Sequence, residues 1–279
     1  AAARTAGALV VDLDPARPFT AARARNEGAA VLAAAGYAPD YLQFVDGDCT
    51  LVPGWVETAV AFLDAHPQAA VVCGRRRERF PEASVYNRLC DREWDTPVGR
   101  ARACGGDALM RRAAFEAAGG FRASLIAGEE PELCLRLRAD GWEVWRIDAE
   151  MALHDAAMTR FAQWWKRSRR GGYAAAEGTA LHGRGPDRHG IAQTRRALIW
   201  GVALPATALL GTLATPWSLA LLAAYPAQIT RLALRKGGNR GDWEEAVFMT
   251  LGKTPEALGN LKYRSENVSG YRPKLIEYK

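Results

Sequence analysis

Several features that would assign a chain to a common class are missing from this sequence of 279 residues. There is no continuous basic tract with interleaved aromatic residues, so the net charge of +6 does not indicate a nucleic-acid-binding surface. The five cysteines lack the short paired spacing of a zinc site, and their odd number favours reduced thiols in a cytosolic domain. Residues 1–7 contain no long apolar core, so we expect no signal peptide there.

The sequence does contain enough apolar material for a folded core. Hydrophobic residues make up 49% of the chain, and a chain of this length folds as one or two domains. Short apolar runs alternate with segments of helical pattern, which is typical of an α/β fold with a mostly parallel sheet flanked by helices. The predicted strands are 9–13, 41–45, 69–74 and 141–147, and the predicted helices are 20–35, 53–66 and one from residue 113.

A pair of carboxylates, Asp46 and Asp48, directly follows the apolar run 41–45. Two like charges this close repel each other unless a cation lies between them, which favours a divalent metal at the carboxyl end of a strand. Ligands of open α/β sheets bind at that end. Two other interpretations stay open: a solvated Asp-Gly turn, and the nucleophile motif of haloacid-dehalogenase-like phosphatases, which residues 44–50 also resemble, with Asp46 as nucleophile.

A second acidic cluster, Glu129 and Glu130, comes just before Pro131. Acidic residues there stabilise a helix through its dipole, which is a purely structural explanation. In a loop before the proline, however, a carboxylate can act as a general base if burial tunes its pKa. His154 ends the next apolar segment and is either a core histidine or a third metal ligand.

The order and spacing of these motifs resemble the family 2 glycosyltransferases, although each motif alone is weak. The resemblance covers roughly residues 9–182 and implies a GT-A (Rossmann-like) fold, an inverting reaction and a nucleotide-sugar donor. A catalytic domain of residues 1–182 is therefore expected. The matching segments are 24–26, 44–48, 105–106, 119–121, 128–133 and His154.

The resemblance also implies roles for individual residues. Asp46 and Asp48 match the Asp-X-Asp motif that binds the donor diphosphate through Mn²⁺ or Mg²⁺, and His154 matches the position that often completes this site. Glu130 lies where the family usually has an aspartate as catalytic base, with Glu129 just before it, so the base is one of these two glutamates. The remaining matches are Arg25 and Asn26 near the nucleotide, and Gly105, Gly106 and Asp107 beneath the donor sugar and acceptor.

The amino end departs from the family pattern. Family members begin with a strand and helix that hold the nucleotide base, whereas residues 9–13 look like a later strand. We therefore expect a catalytic domain that is incomplete at this end. Such a domain would bind its donor more weakly. An alternative function is a catalytically degenerate membrane-bound binding subunit.

The last third of the chain indicates membrane association. Residues 197–230 contain no charged residue, prolines interrupt this stretch, and basic residues flank both ends, which predicts two short helices in a hairpin with both ends cytoplasmic. A re-entrant or interfacial hairpin, or an apolar helix pair used in a homodimer, is an alternative. Before this stretch, Trp164 and Trp165 lie in a basic segment of helical pattern. Three roles are open for them: stacking on a sugar, contact with the membrane interface, or ordinary packing inside the protein.

Together these features predict a metal-dependent inverting glycosyltransferase on the cytoplasmic face of the cell membrane, followed by a helical carboxyl-terminal region, 183–279. The expected donor is a nucleotide-sugar, and the expected acceptor is a glycan or a lipid-linked hydroxyl in polysaccharide or glycolipid biosynthesis. The tail from residue 242 predicts an amphipathic helix with a basic end.

Overall fold

The computed structural model describes residues 2–269 and divides them into two compact units. The sheet unit comprises the chain up to residue 79 together with 94–155, and the helical unit comprises 80–93 together with the chain from residue 156. The unit boundary thus lies before the helical segment 161–182, which the sequence prediction had placed in the catalytic domain. The predicted basic end of the tail, 270–279, lies outside the described residues.

Six strands form the sheet of the first unit. In chain order they are β1 (Tyr41–Phe44), β2 (Cys49–Leu51), β3 (Ala69–Glu78), β4 (Gly99–Ala101), β5 (Ala108–Arg111) and β6 (Glu143–His154). Their spatial order is β1-β5-β3-β6-β2, with β4 also paired to β6. β3 and β6 are parallel, whereas the other described pairs are antiparallel. The α/β fold is confirmed, but the sheet is mixed rather than mostly parallel, because β5 runs opposite to both its neighbours.

The α-helices are numbered along the whole chain. They are α1 (Ala2–Thr5), α2 (Ala21–Ala34), α3 (Trp55–Ala65), α4 (Val85–Glu93), α5 (Arg112–Ala117), α6 (Glu129–Ala139), α7 (Phe161–His182), α8 (Ile191–Leu198), α9 (Leu204–Leu210), α10 (Ala224–Lys236), α11 (Arg240–Leu251) and α12 (Lys253–Ser269). A π-helix (Ile199–Ala203) joins α8 to α9, and 3₁₀ segments occupy Pro81–Ala83, Gly211–Leu213 and Pro216–Ala223.

Helix α2 begins where the sequence predicts. The Thr20 side chain accepts a hydrogen bond from the Arg23 backbone N–H (3.0 Å), which satisfies one of the free donors at the helix start. The same hydroxyl donates to the Ala123 carbonyl oxygen at 2.8 Å, so it also ties α2 to a distant loop.

The predicted strand 9–13 was wrong. Residues 8–14 have neither helical nor strand structure, and Leu9 and Val10 are 54% and 39% exposed. An apolar run forms a strand only where a neighbouring strand completes its hydrogen bonds and a core covers one face. In the described part of the chain this segment has neither.

Predicted helices in the stretch 197–230 are confirmed, with different limits. The first arm runs as one helical segment, Ile191–Leu213, the one helix among the described residues that is long and apolar enough to cross a membrane. The second arm is the 3₁₀ segment Pro216–Ala223 followed by α10. Pro216 begins the second arm, where a proline is tolerated because its missing N–H has no helical acceptor anyway.

Within the helical unit, α7 and α12 cross at two glycines. A Cβ atom on Gly172 would lie 2.0 Å from the Glu256 carbonyl oxygen, and one on Gly259 would lie 2.0 Å from the Arg169 carbonyl oxygen. No real Cβ contact is that short, so the two backbones approach each other as closely as they do only because both positions lack a side chain.

This crossing predicts opposite effects for two Gly→Ala changes. Gly259→Ala should lower the free energy of unfolding by about 1–3 kcal/mol, because the new methyl group overlaps the α7 backbone. Gly171→Ala, one position before Gly172 but with no atom within 4 Å, should raise it by up to about 1 kcal/mol through helix propensity. Urea unfolding measures both; equal effects would contradict the proposed crossing.

Candidate active site

The centre of the site is Arg25, on α2. Its guanidinium lies 2.5 Å from Asp46 Oδ1, 2.7 Å from Glu129 Oε1 and 3.3 Å from Glu130 Oε1, and its side chain is 11% exposed. These carboxylates come from the loop after β1 and from the start of α6. Burial opposes the charge of Arg25, but Glu130, Asp46 and Glu129 outweigh it and raise the pKa of the guanidinium. The structure thus brings together four predicted site residues from three segments that are distant in sequence.

The predicted glycine loop lies directly against this cluster. A Cβ atom on Gly106 would be 2.3 Å from Asp46 Oδ2 and 2.6 Å from Arg25 Nη2, so only glycine lets the loop reach the ion pair. Asp107 follows, is fully buried, and accepts a hydrogen bond from the Asp46 N–H at 2.7 Å. Gly105 is close to Arg76, since its Cβ would lie 3.2 Å from Arg76 Nη2.

Glu129 and Glu130 form the first turn of α6, not a loop before it as the sequence prediction had them. Gly128, at φ +80°, turns the chain into the helix, and Pro131 fits the first turn because its missing N–H would have no helical acceptor there. Burial first, and then the charge of Glu129, raise the pKa of Glu130 to about 7, although Arg25 opposes this. Glu130 therefore changes its protonation state near neutral pH.

A second group of side chains lies where β2 pairs with β6. Cys49 is the register partner of His154, and Asp48 precedes it. One ligand atom from each of the three residues fits within 4.8 Å of the others, and His154 Nε2 is 3.4 Å from Asp48 Oδ1. On the other side of the ring, His154 Nδ1 is 3.3 Å from the buried Glu78 carboxylate. A carboxylate behind a histidine orients the ring toward a metal.

This geometry suits a divalent cation. Burial first, and then Arg76, lower the pKa of His154, which favours the neutral imidazole that binds metals. Burial raises the pKa of the Cys49 thiol, so this side chain stays protonated and is a poor ligand. Asp46 is outside the group of three and is held instead by Arg25 and, at 3.6 Å, by Arg76.

Two residues that the sequence did not single out connect the clusters. Arg76 Nη1 lies 3.4 Å from Asp107 Oδ2 as well as close to Asp46, and its guanidinium is 4.2 Å from the centre of the Trp94 ring. The Trp94 ring meets His154 edge-on, with the ring centres 4.3 Å apart. The sequence has arginines at 75, 76, 77 and 79. Because bulges between Cys73 and Arg76 break the strand alternation, the sequence pattern does not show which of them faces the site.

Other predicted residues have structural contacts instead. Both ends of the Asn26 amide bind Phe121: Nδ2 donates to its carbonyl oxygen (2.6 Å) and Oδ1 accepts from its N–H (2.9 Å). Asn26 therefore holds the turn before Phe121. In the helical unit, Trp164 is 6% exposed and packs edge-on to Phe248 with ring centres 5.0 Å apart, whereas Trp165 is half-buried.

The fold and this site define the class of the sheet unit: an α/β domain of GT-A type with an acidic pair after a strand. Residues 13–119 match the family model described as "Glycosyl transferase family 2", and this part of the chain belongs to that family. The protein is a glycosyltransferase. The match overturns the alternative of a haloacid-dehalogenase-like phosphatase.

The solved structures that match the chain include two glycosyltransferases. Mannosyltransferase PcManGT from Pyrobaculum calidifontis, solved with GDP-Man and Mn²⁺, is 21% identical over 93% of this chain and 72% of that one, with a TM-score of 0.57. TarS from S. aureus is 11% identical over 82% of this chain and 42% of that one, and its TM-score of 0.37 is too low to support an argument. The first supports the fold. No curated protein gives a significant match.

The role of Arg25 predicts a pH-dependent loss of stability. Arg25→Met leaves three carboxylates without their shared counter-ion, so the free energy of unfolding at pH 8 should fall by about 3–5 kcal/mol. At pH 5 the loss should be smaller, because Glu130, with its raised pKa, is then already protonated and uncharged.

Arg77→Met is the matched control. Arg77 pairs with Glu150 at 2.7 Å on the surface, where such pairs contribute less than about 1 kcal/mol. Urea unfolding of both variants at the two pH values makes the comparison. If Arg25→Met cost no more than Arg77→Met at pH 8, the charge balance described for the site would be wrong.

Proposed function

We propose that the protein is a metal-dependent inverting glycosyltransferase that moves a sugar from a nucleotide-sugar donor to a hydroxyl group of a glycan or lipid-linked acceptor. The observation that carries the proposal is the environment of Glu130, a largely buried carboxyl with a pKa of about 7 beside the Arg25–Asp46 ion pair. A general base works best when its pKa is near the working pH.

Glu130 is the proposed base. Its carboxylate takes the proton of the acceptor hydroxyl, the oxygen attacks the anomeric carbon, and the bond from that carbon to the donor diphosphate breaks on the opposite face. Glu129 is the better counter-ion, because it lies closer to Arg25 (2.7 Å against 3.3 Å) and is less exposed (5% against 16%). Glu130 is therefore the freer of the two to meet an acceptor.

Asp48 and His154 are the proposed protein ligands of the metal; Asp46, two residues earlier in the same loop, is held by Arg25 and Arg76. Carboxylate and imidazole donors suit Mn²⁺, and the imidazole favours it over Mg²⁺. The Mn²⁺ in the mannosyltransferase structure supports this choice. When bound, such a cation neutralises the charge that develops on the leaving diphosphate.

The donor is proposed to lie against Arg25, Asp46 and the loop that contains Gly105, Gly106 and Asp107. At these glycines the backbone can approach a ligand closely. GDP is the first nucleotide to test, because GDP-Man occupies the similar mannosyltransferase.

For the helical unit we propose association with the cytoplasmic face of the cell membrane, where polysaccharide or glycolipid acceptors are made; a homodimer is the alternative use of its apolar helices.

Metal and nucleotide should stabilise the protein together. At about 100 times its dissociation constant, a ligand adds about 2.7 kcal/mol, or roughly 5–10 °C in the unfolding temperature of a chain this size. We expect this shift with GDP and Mn²⁺, but little with GDP and EDTA. In His154→Ala the manganese-dependent part should disappear. Absence of any shift with guanosine, uridine, adenosine, cytidine or thymidine diphosphates plus Mn²⁺ would contradict the proposal.

Glu130→Gln should reduce the transfer rate by about 10²–10⁴-fold, because the amide accepts no proton, while the thermal shift with GDP and Mn²⁺ remains.

For the wild type, kcat should rise with pH through about 7 as the Glu130 carboxyl loses its proton. Glu129, Arg25 and Asp46 all act on this titration.

The matched control is Glu116→Gln, a change at an exposed glutamate paired with Arg112, which should leave the rate unchanged. If Glu129→Gln abolished transfer while Glu130→Gln retained it, the base would be Glu129.

A further inference from the structure

The helical segment Ile191–Leu213 has two halves with different surroundings. In the first half Thr194, Ala197 and Gly201 are buried, and a Cβ atom on Gly201 would lie 2.2 Å from the Lys253 carbonyl oxygen on α12. In the second half, and on through residue 232, Ala208 is the one buried residue among those that the structure describes. The segment therefore leaves the body of the helical unit near Gly201.

The two arms beyond this point form a closed hairpin. At its base the Tyr225 hydroxyl donates to the Trp200 carbonyl oxygen, and near its end the Ser218 hydroxyl donates to the Ala208 carbonyl oxygen at 2.8 Å. We call the exposed apolar residues at its end the apolar tip. They are Leu209 (60% exposed), Leu210 (68%), Leu213 (88%) and Trp217 (83%).

The apolar tip has the features of a lipid-facing surface. At about 100° per residue, Leu209, Leu210 and Leu213 lie within about 100° of one another around the helix, so their exposed side chains form one continuous apolar face. An exposed apolar patch of this kind marks an interaction site. No charged residue lies beside it in the sequence, since residues 197–230 contain none.

The base of the hairpin carries the opposite chemistry. Arg195 and Arg196 precede it, Arg231 and Arg235 follow it, and all four are exposed. Basic residues beside an apolar segment are attracted to the headgroups of anionic phospholipids. Charge therefore favours a lipid leaflet over a second copy of the chain, which would bring the same four arginines toward each other.

The length of the hairpin limits how deeply it can insert into a bilayer. From Gly201 to Leu213 is about 12 residues, or about 18 Å of helix. A bilayer core is about 30 Å thick, so a hairpin of about 18 Å reaches the region of the midplane but not the opposite surface. We propose that the hairpin inserts its apolar tip into one leaflet of a membrane containing anionic phospholipid, without crossing it. This inference rests on the membrane association proposed above.

Vesicle co-sedimentation tests the insertion with the full chain. Leu213→Glu should weaken binding to phosphatidylcholine–phosphatidylglycerol vesicles more than about 100-fold. Val268→Glu is the matched control, because Val268 is 89% exposed on α12 but outside the hairpin, and it should bind like the wild type. The double change Arg195→Gln and Arg196→Gln should weaken binding about 25-fold on these vesicles and leave binding to pure phosphatidylcholine unchanged.

Labelling of Leu213→Cys tests the depth. On vesicles this cysteine should resist a membrane-impermeant maleimide both outside and trapped inside, and should react after detergent is added. The wild type gives the background; four of its five cysteines are buried. Reaction with the trapped reagent would show a spanning hairpin, and reaction with the outer reagent would show no insertion; each result overturns the proposal.

Two controls separate membrane insertion from a dimer interface and from the proposed transferase function. If the wild type did not bind vesicles but formed a dimer that Leu213→Glu dissociated in analytical ultracentrifugation, the tip would be a protein interface and the proposal would be wrong. The thermal shift with GDP and Mn²⁺ should be the same in Leu213→Glu as in the wild type. Loss of that shift in both proteins, with vesicle binding intact, would contradict the transferase function but not the insertion.

Discussion

The candidate site depends on one buried positive charge, that of Arg25. Its guanidinium joins α2 to the loop after β1 through Asp46 and to the start of α6 through Glu129 and Glu130. Three carboxylates could not gather in a largely buried space without it, because removing one partner of a buried ion pair leaves an uncompensated charge. Burial first, and then the charge of Glu129, raise the pKa of Glu130 to about 7, because Arg25 opposes them only in part.

A second arginine, Arg76, connects the Arg25 cluster to the proposed metal-binding residues. Arg76 lies between Asp46 and Asp107 on one side and the Trp94 ring on the other, and Trp94 in turn contacts His154. In the proposed function, a nucleotide-sugar diphosphate therefore meets two arginines and a metal-binding pair within one unit of the fold. Positive groups near the leaving diphosphate and a carboxylate of raised pKa near the acceptor are the two requirements of the proposed reaction.

Much of this site could be predicted from the sequence because its residues lie next to helices and strands with clear local sequence patterns. The helical pattern of residues 20–35 predicted the start of α2, and an apolar strand followed by Asp46 and Asp48 predicted the acidic edge. The motif order predicted that Arg25, Gly106 and Glu130 belong to one site. Such patterns locate a residue at an end of an element, and ends of elements are where the ligands of α/β folds bind.

The remainder depended on contacts that no local pattern encodes. Residues 9–13 have the composition of a strand, but strand formation requires a neighbour, which composition does not reveal. The position of Glu129 and Glu130 inside α6 was missed because Pro131 suggested a boundary, although proline is tolerated in a first turn. Arg76 and Glu78 were missed because bulges in β3 change which side chains face the site.

The most direct test of the account is the pKa of Glu130 itself. A pH titration of the side-chain carboxyl ¹³C signals by NMR, with the Glu130 signal assigned by its absence from Glu130→Gln, measures it without substrate or metal. The account predicts a midpoint near 7, well above the ordinary value of a glutamate. A midpoint below about 5 would show that Arg25 compensates the cluster fully, and would contradict the assignment of Glu130 as a base poised near neutral pH.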